Sequence, residues 1–450
     1  MYNIRVAARG IDLARKFMFI EGVQMVTSFI IALVTIVLFL LSVLFFPKIG
    51  KVKIYSLIPL IGGIITVACG VLTVDQVIGC FTENSSVNPI KILVLFLSMT
   101  VYSLILDKTG FFNFISSEVL KHAGHSQTRI FLALYLVISA LTIFTSNDIV
   151  ILTFTPFICH FCRSAKIDVV PYLIMEFVAA NTWSLFLLIG NPTNIYISGA
   201  FDITFNDYLT HMALPTIAAG LVSLVLMFLL FRKKLNKTVN TITETAKIND
   251  RPLMLVSLAH LFACIVLLAV SQYTQIEMWL ISLFTAISCL VMSVMVLVVR
   301  KKSLIPVARA IKGMPFEIIP FVVGMFIIVL GLDSTGVTSL IASGMQGSNG
   351  ILSYGIASLL FSNFLNNIPM SVLFSKVLAI SPSLPEIYAT IAGSNIGAFL
   401  TPVGALAGIM WSNLIKENKV KLSVGRFVAY GMSIGIPTML ASLIMIFVLC

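Results

Sequence analysis

Apolar runs long enough to cross a lipid bilayer follow one another along this chain almost without pause. A helix needs about 20 residues to traverse about 30 Å of hydrocarbon. Ten stretches meet that measure, near 24–46, 54–75, 90–107, 171–198, 212–231, 252–271, 278–299, 316–333, 385–412 and 427–449. With 59% hydrophobic and 10% charged residues, the chain cannot clothe soluble domains in a polar surface. A soluble enzyme, a disordered chain and a secreted disulfide scaffold are excluded. The expected fold class is an all-α polytopic membrane protein. The first run, Gln24 to Phe46, exceeds a signal-peptide core and no small-residue cleavage site follows it, so it is expected to remain as a helix.

Two further apolar stretches, about 129–162 and 350–380, carry polar clusters at their centres. The first holds Thr145-Ser146-Asn147-Asp148, the second Ser362 to Pro369 with Asn363, Asn366 and Asn367. Each half is about 15 residues, or roughly 22 Å of helix, short for a crossing. The pattern predicts two re-entrant hairpins whose polar tips stop inside the membrane. With that layout, the connections 47–53, 108–129, 160–170, 232–251, 300–315 and 413–426 fall on one face and hold 23 of the 29 Lys and Arg residues. Lys91 and Lys376 alone fall opposite. Such asymmetry assigns the basic face to the cytoplasm of a multi-pass cell-membrane protein and places both termini outside. It also accounts for the net charge of +11 without nucleic acid. Arg5, Arg9, Arg15 and Lys16 run against the rule, and residues 1–23 read as an interfacial amphipathic segment.

Cutting at the charged linker 232–251 leaves 24–231 and 252–450, each with five crossings and one hairpin. Five is odd, so the second half must be inverted. The halves share an order of signals. In the first, the tip precedes a long segment interrupted at Asn181-Thr182 and again at Gly190-Asn191-Pro192-Thr193-Asn194. In the second, Asn366-Asn367 precedes a segment interrupted at Gly393-Ser394-Asn395 and Thr401-Pro402-Val403-Gly404. Asn181 to Asn191 and Ser394 to Gly404 are both ten residues apart. Inverted halves with Gly/Pro-broken apolar segments point to a secondary transporter with its site near the bilayer midplane. Backbone broken inside a membrane is tolerated only where protein or a wet cavity satisfies it. Half-helix N-termini can then face an anion or a neutral oxygen ligand, and free carbonyls a cation.

The run Ser146 to Pro156 resembles the Asn-Asp and downstream Thr-Pro motif of the ArsB arsenite pumps. Ser362 to Pro369, Ser103 to Phe112 and Gly393 to Leu406 extend that resemblance over roughly residues 50–450. ArsB belongs to the ion transporter superfamily with NhaD-type sodium/proton antiporters and divalent anion/sodium symporters. The resemblance implies a scaffold domain beside a transport domain that holds both hairpins and moves like an elevator. It leaves room for a homodimer through the scaffold domain and, for an ArsB-like chain, a separate ATPase subunit. The implied cargo is arsenite or antimonite, small inorganic trihydroxides, driven by H+ or Na+ with no organic cofactor. Gly190 to Asn194 is nearer the Gly-x-Pro-x-Asn motif of anion-transporting members, with Asn191 where an acid is common and Asn181 where aspartate is frequent. Sodium-coupled di- or tricarboxylate transport and sodium/proton antiport are the alternatives.

The candidate substrate- or ion-binding residues are Ser146, Asn147, Asp148, Asn181, Thr182, Asn191, Thr193, Asn194, Asn363, Asn366, Asn367, Ser394, Asn395, Thr401 and Gly404. Asp148 is the expected proton carrier, because an ionisable group at a membrane-embedded tip is costly and usually functional; its competing role is to cap the following helix. Glu176 is expected near the cytoplasmic boundary, within reach of water. Asp107, Glu317 and Asp333 read as interfacial. Cys159-His160-Phe161-Cys162 is a lone pair of thiols with no second cluster, and no metal site is expected. Gly431-Met432-Ser433-Ile434-Gly435 lies inside an apolar helix and is no nucleophile elbow.

Overall fold

The computed structural model describes residues 2–45, 53–84, 88–239, 246–274, 276–345 and 349–450. Every regular element among them is a helix. The chain opens with α1 (Tyr2–Phe45), α2 (Ile54–Ala68), the short α3 (Val74–Thr82), α4 (Pro89–Lys108) and α5 (Phe111–Ala123). A split pair follows, α6 (Gln127–Phe144) and α7 (Asn147–Ser164). Then α8 (Val170–Trp183), a 3-10 turn at Leu188–Gly190 and α9 (Pro192–Ala200) form a broken unit, closed by α10 (Phe205–Leu235).

The same order returns after the linker. α11 (Arg251–Ala269), the four-residue α12 (Ser271–Thr274), α13 (Met278–Val299), α14 (Ile305–Lys312), α15 (Ile318–Ser334) and α16 (Val337–Met345) lead to the split pair α17 (Gly350–Leu365) and α18 (Asn367–Ala379). α19 (Leu384–Ile396), a 3-10 turn at Gly397–Phe399, α20 (Leu406–Glu417) and α21 (Val424–Leu449) complete the chain. Leaving α12 aside, each element of the first half has a counterpart in the second. Each broken unit has one break, at 184–191 and at 397–405, where two were expected. α8 runs unbroken through Asn181-Thr182 and α19 through Gly393-Ser394-Asn395, because their polar side chains bond within the protein and leave the helical backbone intact.

Seven helices among the described residues are long and apolar enough to cross a membrane, or eight if the bent pair α15–α16 counts as one. The difference from the ten expected runs has local causes. Within 54–75, the helix stops at Ala68 because Gly70 takes a left-handed turn (φ +72°), and Thr73 starts α3 with a capping box to Gln76. The run 316–333 continues past a 74° bend at Gly336 (φ +81°) into α16. The segments 171–198 and 385–412 are the two broken units. The first hairpin has longer arms than expected, 18 residues each, because Ser126 caps α6 through the Arg129 N–H and starts it early. Residues 108–129 and 300–315, expected as plain connections, contain α5 and α14. Residues 2–23 continue into α1 without a break, where a separate interfacial segment was expected.

The chain forms two compact units that cut across the sequence halves. The smaller comprises residues 1–84, 316–347 and 372–381. Its centre is α15 against α2, with α1 alongside. Gly324 permits this contact, since a Cβ there would collide with the backbone at Pro59 and Leu60. Close approach through small residues is the usual way membrane helices pack. Glu317 pairs with Lys53, and Asp333 lies 3.3 Å from Lys376 Nζ.

The larger unit comprises 85–315, 348–371 and 382–450. Here the first split pair returns on itself beside α8. Gln127 and Phe131, at the start of α6, lie against Tyr172 early in α8. So does Phe161, near the end of α7, with ring centroids 6.3 Å apart. The tip, Asn147, instead reaches Asn181 near the end of α8. Both feet of the hairpin therefore stand at one level and its tip at another. α17 likewise runs beside α19, with Gly393 and Gly397 pressed on the backbone around Gly355 and Leu359.

Outside the spans, Asp250 joins two helices of this unit. Its carboxylate caps α11 through the Leu253 N–H and is gripped by Arg300 and by Lys302 Nζ at 2.7 Å. Burial alone would raise its pKa, but Lys302 and Arg300 outweigh that and hold it below the usual carboxylate range. A depressed folded-state pKa contributes stability above the unfolded value and loses it as pH falls through the folded value. Asp250→Asn is expected to cost about 1–3 kcal/mol at neutral pH, the worth of hydrogen bonds to charged groups. The gap to wild type should close below about pH 4, read from melting temperatures in detergent across a pH series.

Candidate transport site

The polar residues of the larger unit are buried and bonded to one another across the two sequence halves. Asn395, at the end of α19, is the hub. Its Oδ1 accepts from Ser184 Oγ and Asn191 Nδ2, both at 2.8 Å. Its Nδ2 donates to Asn194 Oδ1 at 2.7 Å and to the Ile391 carbonyl at 3.0 Å. Beside it, Thr193 Oγ1 and Ser394 Oγ lie 3.0 Å apart. Asn191 also caps α9 through the Thr193 N–H, and Asn194 Nδ2 donates to the carbonyls of Ser184 and Leu187. The breaks in α8–α9 and α19–α20 are thus locked together, each supplying the partners that the other's interrupted backbone lacks.

The hairpin tips are tied to these breaks. Asn147 Nδ2 donates to Asn181 Oδ1 at 3.1 Å, and Asn181 Nδ2 donates back to the Phe177 carbonyl. In the second half, Asn363 Nδ2 reaches the Gly397 carbonyl at 3.0 Å, while its Oδ1 accepts from Thr401 Oγ1 at 2.7 Å. Asn366, in a left-handed conformation (φ +75°), donates from Nδ2 to the Val403 carbonyl. The Asn367 N–H donates to the Gly404 carbonyl at 2.9 Å. Gly404 packs so closely on Asn363 and on the Gly397 and Ala398 carbonyls that a Cβ would not fit without a shift.

Asn191, Asn194, Asn363, Asn366, Ser394 and Asn395 have their side chains engaged in the scaffold of the site. Four groups are not engaged. Ser146 Oγ and Thr182 Oγ1 are buried without a hydrogen-bond partner. The Asp148 carboxylate and the Asn367 amide make no side-chain hydrogen bond among the described residues. Asp148 stands in the first turn of α7, where the helix dipole favours negative charge. It does not cap that helix; its own N–H is taken by Asn147 Oδ1 at 2.9 Å. The unengaged groups are hydroxyl, amide and carboxyl. Among the described residues no lysine or arginine is buried.

Ser184 was not among the sequence candidates, although it stands three residues after Asn181 on one helical face and bonds both Asn181 and Asn395. Glu176 departs from expectation: it is fully buried, with no access to water. The cover comes from α7 and α20, which a single segment's hydropathy does not reveal. Cys159 and Cys162 are buried free thiols, and no metal-holding group occurs among the described residues. A cleft of about 420 Å³ is lined by Lys91, Glu277, Trp279 and the later turns of α9 (Ile195, Gly199); it contains none of the candidate residues.

A model of the citrate transporter family, CitMHS, matches residues 17–385. The chain belongs to that family. Among its relatives is an arsenical pump membrane protein of Escherichia coli, 24% identical over 366 residues, 77% of this chain and 84% of that protein. A putative arsenical pump membrane protein of Bacillus subtilis (strain 168) is 24% identical over 402 residues, covering 82% and 88%. The fold is similar to that of the Alcanivorax borkumensis YdaH transporter, with a TM-score of 0.55 at 12% identity over 84% of this chain and 89% of that one. This CitMHS member is a multi-pass membrane protein and a secondary transporter, not an enzyme.

Proposed function

We propose that the chain exports arsenite or antimonite in exchange for protons, by an elevator-type alternating access. The observation that carries this reading is the chemistry of the unengaged groups: hydroxyls, an amide and one carboxyl, with no lysine or arginine buried among the described residues. As(OH)3 and Sb(OH)3 are neutral at physiological pH and offer hydroxyls to such groups. A di- or tricarboxylate brings two or three charges that would need fixed cations or bound sodium, since desolvating an unpaired charge is prohibitive. The arsenical pumps among the relatives support the same cargo. In this reading Ser146, Thr182 and Asn367 contact the cargo, Asp148 exchanges the proton, and the asparagine lock holds the broken helices in register. The basic loops face the cytoplasm.

A second reading, sodium-coupled carboxylate transport, is favoured by the description of the family itself and by the helix N-termini at Asn147 and Asn367, which attract anions. Purified protein in liposomes separates the two. Arsenite, antimonite, citrate and succinate are each offered under an imposed proton or sodium gradient. Arsenite or antimonite flux driven by the proton gradient is the expected result. Citrate or succinate flux that requires sodium, with no arsenite flux, would replace the first reading by the second.

A further inference from the structure

Glu176 is a second acid in the larger unit, away from the hairpin tip. It lies on α8 six residues after Val170 and five before Asn181, so about 7.5 Å of helix separates it from the polar lock. Its side chain is entirely out of reach of solvent. Oε1 accepts from Thr155 Oγ1 on α7 at 2.8 Å, and Oε2 has no hydrogen-bond partner. Trp411 Nε1, on α20, is buried beside the carboxyl and interacts with it without forming a well-aligned hydrogen bond, and its ring lies tilted against Phe177, the residue after Glu176, with centroids 5.0 Å apart. Phe427 of α21 closes the same wall, 5.1 Å from Trp411. The carboxyl therefore sits where the returning arm of the first hairpin meets the broken helices of both halves.

No cation among the described residues neutralises it. From α7, the one titratable neighbour that interacts with it is the buried thiol of Cys159. From α6, α10, α19, α20 and α21 no charged group contributes to its environment. An ionised, unpaired carboxylate in such a place costs several kcal/mol, and an acid that only needed to pack would be replaced at no loss by an apolar residue. A buried acid beside an indole N–H that it meets without a well-formed hydrogen bond is instead an arrangement suited to two states. With the proton on, the acid is tolerated in the closed contact. With the proton released to water, the anion requires a donor such as the indole or an opened, wet surface.

We propose that Glu176 is a proton-binding site of the transport cycle, loading and unloading one proton as the contact between α7, α8 and α20 closes and opens. Its transport role rests on the proton-coupled reading above; its proton exchange does not. Infrared difference spectra of the purified protein in lipid test the second point without any cargo. A protonated-carboxyl band is expected in wild type, absent in Glu176→Gln and shifted in Glu176→Asp, and it should take up deuterium from D2O within minutes. Absence of the band, or a band that takes no deuterium over hours, overturns the proposal. With arsenite as probe, E176Q should lower proton-gradient-driven flux by roughly tenfold or more, and E176D should restore part of it. Wild-type flux in E176Q also overturns the proposal. If arsenite is not carried even by wild type while the band exchanges, the cargo assignment fails and the proton site stands.

Discussion

Replacing Asp148 by asparagine is expected to abolish proton-gradient-driven transport while leaving the protein folded. The two halves of that statement have separate physical grounds. Asparagine matches the carboxyl in size but cannot release a proton, and removing a proton-transfer group typically costs 10²- to 10⁴-fold, so a fall of about a hundredfold or more is expected. The carboxylate makes no hydrogen bond or ion pair among the described residues, so its replacement leaves nothing unsatisfied. Stability should change by about 1 kcal/mol or less, because the lost helix-dipole interaction is small and the neutral amide costs less to bury than a carboxylate. Flux in proteoliposomes under an imposed pH gradient, paired with a melting curve, reads both. Undiminished gradient-driven flux in D148N would remove Asp148 from the coupling step.

Asn395→Ala should have the opposite profile, a failure of the structure before any failure of coupling. The substitution leaves Asn191 Nδ2 and Asn194 Oδ1 without the partners they have in the wild-type protein. It also removes one of the two acceptors of Ser184 Oγ. Each buried group left unsatisfied costs about 1–3 kcal/mol, so the total should reach about 2–6 kcal/mol before the cavity is counted. That is a large share of a typical folding free energy. Asn367→Ala, whose amide is unengaged, is the matched control and should change the melting temperature little. If N395A melts with wild type, the lock is not what holds the two breaks together.

The difference between these two residues could not be read from the sequence, and the reason is instructive. Both are polar residues in apolar segments, and that contrast located the two tips and the two broken units, though not the unbroken helix through Asn181-Thr182 and Gly393-Ser394-Asn395 or the turns at Gly70 and Gly336. The ten-residue intervals from Asn181 to Asn191 and from Ser394 to Gly404 were legible too, because an inverted repeat preserves spacing even where residues differ. What spacing cannot give is the partner. That Asn395 bonds three residues some two hundred positions earlier depends on how the two halves cross, which no periodicity within one half encodes. Glu176 shows the same limit from another side. Its position along α8 was consistent with a wet boundary, and only the cover of Thr155, Trp411 and Phe427 from three other helices makes it dry. The helices in the loops were missed for a simpler reason. α14 buries only Val307 and Ala310 on one face, too short a stripe to stand out beside membrane spans.

The asparagine lock also bears on how such a chain could have arisen. Ser184, Asn191 and Asn194 come from one half and Asn395 from the other, so a polypeptide ending at the linker would leave Asn191 Nδ2 and Asn194 Oδ1 without their partner. An ancestral single-half protein could satisfy them only by associating with an oppositely inserted copy of itself. Fusion of two such genes would then fix permanently a pairing that had until then depended on equal insertion in both directions.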